Sequence, residues 1–145
     1  MKLAWVFLLL LQSTLFAQHQ KINEQQKYGA AGYDLISYFD GKAIKGNSKF
    51  KQDYRGISYK FSSESNLNKF KKNPLSYLPQ YGGWCAYAMA SKGDKVKINP
   101  KTFEIRNGKL YLFYNAYFDN TFEDWLAEEP GNLILKANEN WKKFQ

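Results

Sequence analysis

The chain has 145 residues, 18% of them aromatic, one cysteine and one histidine, and a net charge of +8. One cysteine excludes internal disulfides, and one histidine argues against histidine-rich zinc centres and histidine-ligated haem. Arginine occurs only at Arg55 and Arg106, so the basic charge is dispersed lysine rather than the clustered arginine forks of nucleic-acid recognition.

Met1-Lys2 precedes an apolar run from Leu3 to Leu11, and Ala17 is followed by Gln18-His19-Gln20-Lys21. This pattern predicts a signal peptide over residues 1–17, hence a periplasmic or secreted protein with no integral membrane segment after cleavage. Residues 18–28 are polar and unpatterned and are expected to be flexible, with the folded domain over 29–145. His19 would lie second from the new N-terminus, where it can hold copper(II), although a solvated tail residue is the plainer reading. The +8 charge then reads as a soluble lysine-rich surface.

Tyr33 to Phe39 has strand-like composition, with Asp40-Gly41 as a turn and Ala43-Ile44 as a short returning strand. Phe50, Gln52 and Tyr54 alternate, Arg55-Gly56 turns the chain, and Ile57, Tyr59 and Phe61 alternate again, which predicts a β-hairpin. Ser62-Ser63 caps a helix carrying Leu67 and Phe70 that ends at Asn73-Pro74. After Pro79 and Gly82-Gly83, Trp84 to Ser91 has helical composition and Gly93 stops it.

Phe103 to Arg106, Asn107-Gly108 and Lys109 to Tyr114 give a second hairpin. Asn120 or Thr121 caps a helix with Phe122, Trp125 and Leu126 on its apolar side. Pro130-Gly131 breaks the chain before a last helix marked by Leu133 or Ile134, Ala137 and Trp141. No internal repeat is evident. The fold class is α+β: short antiparallel hairpins with helices packed on one side, a ββα core plus a C-terminal hairpin and helices.

Gly32-Tyr33-Asp34 with Tyr38-Phe39, Tyr54-Arg55-Gly56 with Tyr59-Lys60-Phe61-Ser62-Ser63, and Asn73-Pro74 with Tyr77 resemble a YHS domain. Pro79 to Ala88, Asn107 to Leu112 and Ala137-Asn138 with Asn140-Trp141 resemble the longer exported bacterial members. The resemblance implies the fold over about Gly29 to Trp141 and, from the short members, metal binding. The thiols of those members fall here on Ser37, Ser62 and Asn66, none of which is a ligand suited to zinc or copper(I).

Cys85 therefore carries three readings: a buried small side chain, a soft-metal ligand, or a reactive thiol. On a helix, Cys85 and Met89 are four apart on one face, a thiolate–thioether pair suited to copper(I). Asp34 is read as a turn-tying carboxylate, or as a ligand or base. Tyr33, Asp34, Tyr38, Tyr81, Gly82, Gly83, Trp84 and Tyr87 form the candidate ligand-binding set, since tyrosines can line a pocket for a small polar molecule. The expected function is an exported, monomeric binding module for a metal ion or small molecule, copper first, with Cys85 and Met89 as ligands. Nucleic acid is not expected as a partner. A thiol-dependent enzyme at Cys85, or an interaction domain with that thiol inert, are the alternatives, and a non-enzyme is favoured.

Overall fold

The computed structural model describes residues 21–145. The expected signal peptide and His19 lie outside the described residues. No helix among these residues is long and apolar enough to cross a membrane.

The fold is α+β, assembled from two-stranded antiparallel pairs and short helices. Strands β1 (Glu24–Gln25) and β2 (Tyr28–Gly29) pair first. Helix α1 (Leu35–Phe39) leads into β3 (Asn47–Tyr54), β4 (Ile57–Phe61) and α2 (Glu64–Lys72). Helix α3 (Ala86–Ser91) is followed by β5 (Asn99–Arg106) and β6 (Lys109–Phe113). A small hairpin, β7 (Asn115–Ala116) and β8 (Asp119–Asn120), precedes α4 (Thr121–Ala127) and α5 (Pro130–Trp141).

Three local expectations are corrected. Tyr33 to Phe39 is not a strand, because the Asp34 side chain accepts hydrogen bonds from the Ile36 and Ser37 amides and starts α1. Ala43-Ile44 forms no strand; the return is a single bridge between Tyr33 and Lys45. Residues 21–28 are not loose, since Asn23 is buried and its amide donates to the Gly82 carbonyl at 2.8 Å. Ser63 caps α2, Asn120 caps α4, and Gly93 follows α3 with a φ of 67°, as the sequence suggests. Leu126, expected on the buried side of α4, is half exposed, whereas Trp125 is fully buried.

The chain also contains a repeat that its sequence hides. Ala30, Ala31 and Gly32 have φ values of 50, 53 and 78°, and Tyr81, Gly82 and Gly83 have 56, 61 and 79°. The first turn closes through Tyr33 N–H to Ala30 O at 3.0 Å, the second through Trp84 N–H to Tyr81 O at 3.1 Å. Each leads to a residue that starts a helix, Asp34 or Cys85. The amides of these two residues donate to Ile44 O and Val96 O at 2.8 and 2.9 Å.

Each helix then leads to a hairpin of an eight-residue and a five-residue strand. The register breaks at matching places, between Asn47 and Lys51 and between Asn99 and Phe103. Asn47 Oδ1 accepts from Lys49 N–H at 2.9 Å, and Asn99 Oδ1 from Lys101 N–H at 3.0 Å. Identical residues mark these hairpins: Asn47 and Asn99, Lys49 and Lys101, Gly56 and Gly108 at the turns, Tyr59 and Tyr111, Phe61 and Phe113.

The two units share their packing. One core cluster joins Leu35, Tyr38, Phe61 and Phe70 of the first to Cys85, Ala88, Leu110 and Leu112 of the second. Another gathers Tyr81, Met89, Tyr111, Phe113 and Trp125 with Leu133 and Ala137 of α5. With Cys85 free and no disulfide to staple the chain, the fold rests on these two clusters, in which large rings such as Tyr38, Phe61, Phe70, Phe113 and Trp125 are fully buried.

Candidate functional site

Asp34 is fully buried and its carboxylate is saturated. Oδ1 accepts from the amides of Ile36 at 2.9 Å and Ser37 at 3.3 Å. Oδ2 accepts from the Ser62 amide at 2.8 Å, the Ser62 hydroxyl at 2.6 Å and the Asn66 amide group at 2.7 Å. The Ser37 hydroxyl donates to Asp34 O at 2.7 Å. Ser37, Ser62 and Asn66, the three positions where the resemblance places thiols, therefore gather around Asp34: the Ser62 and Asn66 side chains donate to its carboxylate and the Ser37 hydroxyl to its backbone carbonyl. A soft metal does not fit here: the site offers only oxygen and amide groups, already engaged with one another.

Cys85 is the counterpart of Asp34 in the second unit, and is also fully buried. Its sulfur accepts from the Tyr114 amide at 3.3 Å and lies 3.3 Å from Thr121 Oγ1. Tyr114 follows β6 as Ser62 follows β4, so the same backbone donor closes both knots. Met89 is buried as well, but in the cluster around Trp125, whereas Cys85 belongs to the cluster around Phe61. Cys85 O is used as the acceptor of the Met89 amide within α3. No group of three or more His, Cys, Asp or Glu side chains gathers among the described residues.

The remaining expected residues part company. Tyr33 is half-buried at its bridge with Lys45. The Tyr38 hydroxyl donates to Pro100 O at 2.6 Å under the Phe103 ring, and burial holds its pKa far above the usual tyrosine value. The Trp84 indole donates to Lys21 O at 3.0 Å, and Gly83 O accepts from the Asn23 side chain at 3.0 Å. Tyr87 faces a different cleft from Tyr81.

Tyr81 and Gly82 do line a cavity. It measures about 400 Å³ and lies where the turn at residues 80–83 meets the end of α5. Tyr59, Tyr81 and Trp141 supply aromatic wall, and Gln80, Asn138 and Lys142 supply polar groups. The Tyr81 hydroxyl donates to Asn138 Oδ1 at 3.0 Å, and the Tyr81 and Trp141 rings meet edge to face at 6.4 Å. Burial raises the Tyr81 and Tyr59 pKa values, so both hydroxyls stay protonated into strongly alkaline solution. Gly82 is held in place: a Cβ there would lie 2.5 Å from Lys21 O and 3.1 Å from the Trp141 ring.

Sequence reasoning missed Tyr59, Asn138 and Trp141 as a site. The alternating pattern assigns Tyr59 to the core, and helical spacing assigns Trp141 to packing. Nothing local to either residue reveals that the first unit's hairpin and the last helix meet over Gly82.

No curated protein and no solved structure matches the chain. The family model for the YHS domain matches residues 35–81. That segment holds α1, the first hairpin, α2 and the approach to the second unit's turn. The match places a YHS domain on this segment, with the Asp34-capped helix, the hairpin and the Ser63-capped helix as its elements.

Proposed function

We propose that this protein is a non-catalytic binding module, exported by residues 1–17, whose ligand is a small organic molecule rather than a metal ion. The observation that carries this reading is the cleft of about 400 Å³ over Tyr81 and Gly82. Its volume falls in the range of small-molecule sites, roughly 300–1,000 Å³, and apolar walls with a few polar groups are what such sites require. The wall of Tyr59, Tyr81 and Trp141 suits a flat ring, with Gln80, the NH2 of Asn138 and, on leaving Glu139, Lys142 to read its polar substituents.

Copper(I) at Cys85 and Met89 gains no comparable support. The sulfur of Cys85 is buried behind Thr121 and Tyr114, and Met89 lies in a different cluster. Thiol catalysis meets the same obstacle, since a nucleophile must reach its substrate.

The test is a saturation-transfer NMR screen of indole, benzoate and benzamide derivatives against the chain, repeated with Asn138→Ala and Trp141→Leu. Binding that perturbs residues 80–82 and 138–145 and weakens in both variants supports the proposal. Compounds that bind without touching this cleft, or no binding across the panel, contradict it.

A further inference from the structure

A second cleft, of about 500 Å³, lies apart from the first and arises where the two units differ. In the first unit only Ser62 and Ser63 join β4 to α2. In the second, residues 114–120 join β6 to α4 and fold into the β7–β8 hairpin. Tyr87, Tyr114, Thr121, Asp119 and Asp124 line the resulting cleft, with Lys92 also present.

This region is acidic on a basic protein. From Leu110 to Leu135 there is no lysine or arginine, while Asp119, Glu123, Asp124, Glu128 and Glu129 fall within it. Two of these carboxylates, Asp119 and Asp124, line the cleft itself. The Tyr87 hydroxyl donates to Glu128 at 2.7 Å, and its pKa is pushed up to about 12 by that hydrogen bond, by burial, and by the charges of Glu128, Asp124 and Asp119. Beside Asp119, the hairpin tip presents Tyr117 and Phe118 at 96% and 108% relative exposure. Two fully exposed neighbouring rings are the composition of a contact surface, not of a solvated turn.

We propose that this cleft receives the lysine or arginine side chain of a peptide segment of another protein. Tyr87 and Tyr114 flank the cation as aromatic walls, Asp119 and Asp124 pair with it, and Tyr117 and Phe118 cover apolar residues next to it. Lys92 opposes a second positive charge, so one cation enters. The exposed rings favour a peptide over a free amine, because a small cation would leave them in water.

The test is an amide-resolved NMR titration of the isotope-labelled chain with an acetylated Leu-Arg-Leu-Lys-Leu amide, with the same peptide carrying Glu for Arg and Lys, and with methylguanidine. The proposal expects saturable shifts at residues 87–92 and 114–124 for the basic peptide alone. Affinity should fall about tenfold or more in the double variant Asp119→Asn, Asp124→Asn, and severalfold in Phe118→Ser or in high salt. Absence of saturation, an equal response to the acidic peptide, or shifts centred on Trp141 would overturn it. Methylguanidine binding as tightly as the peptide would overturn the peptide assignment in favour of a small-cation site. The organic ligand of the first cleft is read out at residues 80–82 and 138–145, so the two proposals fail separately.

Discussion

Asp34 and Cys85 occupy the same place in two successive folding units. Each starts a helix after three left-handed residues, each donates its amide to the following loop, and each accepts the amide that follows its hairpin, from Ser62 or from Tyr114. One position holds a carboxylate with five donors, the other a thiol with a single backbone donor and a threonine.

The carboxylate is the more costly one to lose. Asp34→Ala leaves the Ser62 and Asn66 donors buried or half-buried without their acceptor, and should destabilise the fold by about 3–5 kcal/mol. Asp34→Asn keeps the shape but presents an NH2 group to donors, and should fall between. Urea unfolding followed by circular dichroism measures both.

Cys85→Ala removes only a sulfur atom from a packed site and should cost about 1–2 kcal/mol. In the native chain the thiol should react with a disulfide reagent only as fast as the structure opens, and at once in denaturant. Fast native alkylation at neutral pH would return the reactive-thiol reading.

Two glycines separate strain from space. At Gly108, φ is 70° and a Cβ would meet nothing, so Gly108→Ala should cost about 1 kcal/mol. At Gly82, φ is 61° and the added carbon would meet Lys21 O, so Gly82→Ala should cost more, about 2–4 kcal/mol, and reshape the cleft. Thermal unfolding of the two variants side by side checks the order.

Tyr38, Tyr59, Tyr81 and Tyr111 all have pKa values raised by burial. A tyrosine whose folded pKa exceeds its unfolded value of about 10 binds its proton more tightly when folded. Its contribution to stability is complete below pH 10 and is lost as the pH rises above it. The urea midpoint should therefore fall steadily from pH 10 upward, with tyrosinate absorbance from these rings appearing together with unfolding. A midpoint unchanged at pH 11 would contradict the burial assigned to them.

The elements most legible in the sequence are those with local signals. Arg55-Gly56 and Asn107-Gly108 announce their hairpins, and Ser63 and Asn120 announce their helices. Residues 33–39 misled because aromatic and β-branched composition suggests a strand, while a single Asp34 cap decides for a helix. The repeat was hidden because its units agree in backbone more than in side chains. Its shared left-handed turns fall on Ala30-Ala31-Gly32 in one unit and Tyr81-Gly82-Gly83 in the other. The clefts depend on distant segments meeting, Ile22 and Tyr59 with Trp141, or Tyr87 with Asp119, which periodicity does not encode.

The cleft over Tyr81 and Gly82 and the buried sulfur of Cys85 favour an organic ligand over a soft metal. Copper(I) competition against a chromogenic chelator, for the chain and for Cys85→Ser, tests this preference most directly. Weak, non-stoichiometric uptake that is the same in both is expected. Tight one-to-one binding that disappears in Cys85→Ser would contradict it and would require the buried sulfur to leave Thr121 and Tyr114 for the metal.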